Sequence, residues 1–174
     1  MIPRLSAGTL AGLLIPLFTY GPYFVAAAAI AWAAFAEMVL IAAALLCLAP
    51  MWLLMRRQRI REGGLTFGRA FATGLGITCV AAAVTGAATW GVYAFTGGVV
   101  PQAVHDAYQL QLRTGGGSGA AVDAGLADLA ELRPLLFDPV VQALGTLVTV
   151  LAAGTVESLL GAWALRAPAR MRRR

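Results

Sequence analysis

Two carboxylates, Glu37 and Glu157, lie well inside long apolar stretches of the 174-residue chain, and any chemistry is sought there first. A charge at membrane depth is costly unless it is paired, protonated or hydrated, so such acids mark ion pathways or polar packing contacts. Counted from the flanking tryptophans, the depths of the two acids differ by roughly 10–15 Å, too far apart for one shared carboxylate site. Glu157 is expected to face Arg69 across the third and fourth apolar stretches, near Thr73. Glu37 is expected to be satisfied by Thr85 or Thr89. The packing role is the expectation for both acids, with ion or proton coupling as the alternative and, for Glu157, a solvated or protonated side chain as a third.

Other reactive side chains do not converge. His105 has Asp106 beside it, whereas a metal site wants three or four ligands at recognisable spacing. Ser6, Ser118 and Ser158 have no visible His/Asp set for acyl transfer. Cys47 and Cys79 sit in apolar stretches without CxxC spacing, and read as small buried hydrophobes. Gly115-Gly116-Gly117-Ser118-Gly119 lacks the GxxxxGK order of a phosphate loop. No catalytic, metal or cofactor residue is assigned, and a non-enzymatic protein is expected.

The elements that carry these residues follow from composition. Hydrophobic residues make up 60% of the chain and charged ones 12%, against about a quarter charged in soluble domains. The mean hydropathy is +0.78. Apolar stretches of more than ~18 residues recur, each long enough to cross a hydrocarbon core of ~30 Å. The fold class expected is all-α: a four-span transmembrane helical bundle in a single domain, with spans near residues 5–26, 31–54, 67–95 and 139–165. Arg4 with Ala26-x-Ala28 could instead mark a signal peptide, whose removal would leave the remaining topology unchanged.

Small residues indicate which helix faces approach closely. Gly8 and Gly12 are four apart in the first span, and Gly68, Ala72 and Gly76 repeat the spacing in the third. Bare patches of this kind allow tight interhelical packing, and place the third span at the bundle centre. Thr66 is a candidate N-cap for that helix, and Asp138-Pro139 for the fourth. Residues 97–137 form an outer loop with room for two short helices, beginning near Pro101 and Ala121.

The net charge of +5 is carried by arginine alone. Arg56, Arg57, Arg59 and Arg61 form a basic turn between the second and third spans, and Arg4, Arg69 and the C-terminal arginines fall on the same side. The positive-inside rule then puts both termini and this turn in the cytoplasm of a bacterial inner membrane. The charge forms short flanks rather than a groove, so membrane lipids are expected partners and nucleic acid is not.

The order Arg56-Arg57…Gly63-Gly64-Leu65-Thr66-Phe67-Gly68-Arg69-Ala70-Phe71…Gly74 resembles domain-of-unknown-function family 4199, small bacterial integral-membrane proteins. Thr66-Phe67-Gly68, Ala70-Phe71 and Gly74 carry the likeness residue by residue, and Pro101 matches a proline common after the third span. Gly115 to Gly119 departs from the pattern. The resemblance implies architecture and localisation, with no activity, substrate or cofactor. The leading functional expectation is a structural or accessory protein that packs against itself or a membrane partner. A small oligomeric transporter or channel using Glu37 or Glu157 is the alternative, followed by a lipid-modifying enzyme.

Overall fold

A computed structural model describes residues 2–24, 36–61 and 64–165. These residues are all-α: α1 (Ile2–Tyr20), a 3-10 turn (Gly21–Phe24), α2 (Ala36–Leu48), α3 (Pro50–Arg61), α4 (Phe67–Phe95), α5 (Val99–Thr114), α6 (Gly119–Phe137) and α7 (Pro139–Leu165). Among the described residues four stretches are long and apolar enough to cross a membrane: Leu5–Tyr23, Met38–Arg61, Phe67–Phe95 and Pro139–Leu165.

The third and fourth spans begin where their caps place them. The backbone N–H of Arg69 donates to Thr66 Oγ1 at 3.4 Å. Asp138 Oδ1 accepts from Val140 N at 2.7 Å and Val141 N at 3.3 Å, and Pro139 needs no partner at the first helical position.

The second span differs from its expected 31–54 range. Residues 31–35 lie outside the described residues, and on the arginine side the helix runs on to Arg61. Arg56, Arg57, Arg59 and Arg61 therefore form the last turns of α3 rather than a turn between spans. Pro50 restarts the helix after Ala49, and Met, Leu, Arg and Gln are all good helix formers. Thr73 Oγ1 donates to Gln58 Oε1 at 3.1 Å, fastening this basic segment to α4.

Side-chain pairings set the helix directions. Gly8 packs on Val80 and Gly12 on Val84, so α1 and α4 run parallel. Gly74 meets Ser158 while Gly86 meets Leu147, so α4 and α7 run antiparallel. The start of α1, the end of α3, the start of α4 and the end of α7 thus gather at one end of the bundle.

The core has three tiers. Met51, Met55, Leu65, Ala70, Ile77 and Ala162 fill the arginine end. Ala11, Ile15, Ala44, Leu48, Ala82 and Val150 fill the middle. Tyr20, Tyr23, Val100 and Ala107 close the far end, where α5 folds over the tips of α1 and α4. That reversal needs Gly97 and Gly98, whose φ values of 62° and 88° are in the left-handed region that other residues avoid. Residues 97–137 thus form two helices, of 16 and 19 residues, longer than the expected short ones, and α5 is packed onto the bundle.

The Gly8/Gly12 face is where the backbones approach most closely. A Cβ on Gly12 would lie 2.6 Å from Val84 Cβ and 2.8 Å from the Ala81 carbonyl oxygen. Gly12→Val is expected to lower stability by about 1–3 kcal/mol, the usual range for overpacking. Gly145→Ala, built where no atom lies within 4 Å, is expected to be neutral or slightly stabilising. Thermal unfolding of both variants in detergent checks the contrast.

Candidate functional site: polar groups inside the bundle

The polar residues of the spans divide into two groups, one at each end. The far-end group starts from Pro16, which lies inside α1. Proline has no N–H, so the carbonyl of Gly12, four residues earlier, loses its helical donor. Thr85 Oγ1 on α4 supplies one at 3.1 Å. The bare Gly12 face makes this reach feasible. One turn further, Thr89 Oγ1 donates to Tyr20 Oη at 3.3 Å, and Tyr20 Oη lies 3.5 Å from Thr146 Oγ1 on α7. Three spans are therefore linked through hydroxyls, with the Tyr93 ring edge-on to Tyr20 at 6.0 Å. Tyr23 Oη, in the same tier, is buried with no hydrogen-bond partner among the described residues.

His105 roofs this tier from α5. Its ring lies edge-on to Phe137 at 6.4 Å, and Phe137 is in turn capped by the Arg133 guanidinium at 5.2 Å. His105 Nδ1 stands 3.7 Å from Asp106 Oδ1 and makes no hydrogen bond among the described residues. Asp106 Oδ1 takes the Gln102 amide at 2.8 Å instead. A histidine–carboxylate dyad for proton transfer is thus not assembled, since that work needs a contact of about 2.6–3.2 Å.

The arginine-end group centres on α7. Ser158 Oγ donates to the Gly154 carbonyl at 2.6 Å and lies 3.5 Å from Met51 Sδ. Gly74 and Gly154 make room for it and for Thr78. Glu157 is 9% exposed, and its Oε2 is buried with no hydrogen-bond partner among the described residues. The expected Glu157–Arg69 pair does not form: Arg69 lies on the exposed flank of α4, whereas Glu157 points into the bundle beside Ser158. Thr73, expected near that pair, bonds to Gln58 and to the Arg69 carbonyl.

Glu37 falls in the first turn of α2, and its side chain lies outside the described residues. Its proposed threonine partners are engaged elsewhere, Thr85 with Gly12 and Thr89 with Tyr20. Among the described residues no group of three His, Cys, Asp or Glu could hold a metal ion.

The small-residue faces behave in opposite ways. Gly8 and Gly12 are packed to contact. Gly68, Ala72 and Gly76 are exposed, and nothing lies within 4 Å of a Cβ built on Gly68 or Gly76. α4 does stand at the centre, gripped by α1 and α7 through Ala70, Gly74, Ala81 and Gly86, but its 68/72/76 face looks outward. Spacing by four occurs on both faces of this helix, which is why sequence did not tell them apart.

The model of the protein family of unknown function DUF4199 matches residues 6–167. The chain belongs to that family. No curated protein and no solved structure matches it. Its four long apolar helices make this DUF4199 member a membrane-embedded helical protein. The Tyr20–Thr89–Thr146 network was missed in sequence, though Pro16 within a span was a signal that some neighbour must donate to Gly12.

Thr85→Val is expected to cost about 0.6–1.7 kcal/mol, from the average to the largest value found for interhelical hydrogen bonds in membranes. The loss should shrink in a Pro16→Ala background, because that substitution restores the backbone donor to Gly12. A double-mutant cycle of unfolding in mixed micelles reads this coupling.

Proposed function

We propose that the protein is a non-enzymatic, multi-pass inner-membrane subunit that works by docking the outward face of α4 against a transmembrane helix. One observation carries the reading. Apart from Phe67 and Arg69 at its start and Trp90, Ala94 and Phe95 at its end, the exposed positions of α4 are Gly68, Ala72, Gly76, Cys79, Ala83 and Ala87, a run of small residues along about 28 Å of helix. Other spans present bulk outward: Leu10, Leu13 and Leu17 on α1, and Leu144, Val148 and Leu160 on α7. Lipid tails favour no such bare strip, whereas a partner helix gains close backbone contact from it. A second copy of this chain offers the same strip and is the partner first tested.

Cys79, expected from its apolar surroundings to be buried, lies on the strip as a free, exposed thiol. In a Cys47→Ser background, oxidation in membranes is expected to yield a disulfide-linked dimer. Gly76→Ile should cut that yield at least fivefold without unfolding the bundle, because the space around residue 76 is open. A cross-link from Cys79 to another membrane protein would transfer the docking role to a heteromeric partner; no cross-link to any protein would remove it.

The proposed orientation has both termini and the arginine end in the cytoplasm, following the positive-inside rule. A cysteine placed at Ile60 should resist a membrane-impermeant thiol reagent in intact cells, and one placed at Ser118 should react. A transport reading rests on the unpartnered Glu157 Oε2. It predicts that Glu157→Gln abolishes a reconstituted ion flux; absence of flux from wild-type vesicles would dismiss it.

A further inference from the structure

A groove of about 470 Å³ runs along the outside of the bundle between α1 and α2. Ala11 and Ala43 form its floor, and Leu10, Phe18 and Leu46 its walls. The floor is low because both helices place alanine at their contact line, while leucine and phenylalanine stand on either side. From Ala7 to Phe18 the groove extends about 17 Å along α1, roughly one leaflet of a ~30 Å hydrocarbon core. No polar side chain lines it, and a water needs two to four polar partners to be held. Left empty, the lining atoms would forfeit their dispersion contacts.

The groove ends at Pro50, on the arginine side. Beyond it, Leu53 and Arg57 continue the same helical spacing, and Arg56 lies next to Arg57. Leu53, Arg56 and Arg57 are exposed, and neither arginine has an ion-pair partner among the described residues. Arg57 stands about 10 Å along the axis past Pro50. That offset matches a headgroup at the arginines with its chain running inward. The guanidinium fork suits a phosphate, and each basic residue near an anionic surface contributes about 1 kcal/mol.

We propose that the α1–α2 groove seats one acyl chain of an anionic phospholipid whose phosphate is held by Arg56 and Arg57. The lipid becomes a fixed part of the first hairpin, covering a surface that α4 and α7 do not reach. This site is separate from the α4 strip.

Native mass spectrometry of the full-length protein with added phosphatidylglycerol or phosphatidylcholine tests it. Wild type is expected to retain phosphatidylglycerol at least threefold over phosphatidylcholine under equal activation. Ala42→Trp, which fills the groove from an exposed position, should lower that retention at least threefold, whereas Val148→Trp on the outer face of α7 should not. R56Q/R57Q should leave a bound lipid but bring the ratio to one. Gly76→Ile should change neither value. Equal retention of the two lipids by wild type, or retention indifferent to Ala42→Trp, would overturn the proposal. So would an Ala42→Trp spectrum that loses a second protein copy instead of a lipid.

Discussion

The contact between α1 and α4 at Gly12 governs the bundle. Pro16 deprives the Gly12 carbonyl of its helical donor, and in hydrocarbon an unsatisfied carbonyl costs several kcal/mol. The cure comes from Thr85 on another helix, 73 residues away. It works only because Gly8 and Gly12 have no side chains to hold α4 off. Backbone chemistry thus fixes the register of α1 on α4, and side-chain packing follows it. Once Gly12 faces Thr85, Tyr20 is brought to Thr89 and, through it, to Thr146 on α7.

Most of the buried hydroxyls in the spans bond inside the bundle. The hydroxyls of Thr73, Thr85, Thr89 and Ser158 all donate within the bundle. The exceptions among the described residues are confined: Tyr23 Oη and His105 Nδ1 under α5, and Thr78 Oγ1 and Glu157 Oε2 towards the arginine end. The middle tier between them is filled by Ile15, Ala44, Ala82 and Val150. Side-chain size then sorts the outside: bulk on α1 and α7, small residues along the middle of α4, and an apolar cleft beside α2.

Much of the architecture was legible because it depends on composition and local chemistry. Thr66 and Asp138 set helix starts that hydrogen bonds alone can explain, and 67–95 and 139–165 are the ranges found. Gly8 and Gly12 were readable as a contact face. Long-range pairing was not. Glu157 and Arg69 looked complementary by charge, yet helix rotation sends Arg69 outward and Glu157 inward. The arginine run read as a turn since charge marks a membrane boundary; the helix continues past it because those residues are good helix formers. The outward strip on α4 was hidden by small residues recurring on both of its faces.

The Gly12–Thr85 bond also has a place in the order of synthesis. At roughly 5–20 residues per second, about 4–15 s separate the two residues as the chain is made. During that interval α1 carries a carbonyl whose donor has not yet been translated. Until then it depends on water, a local adjustment of the helix or another protein for its hydrogen bond. The bond that joins the first span to the third is thus completed late, although the proline that calls for it is made early.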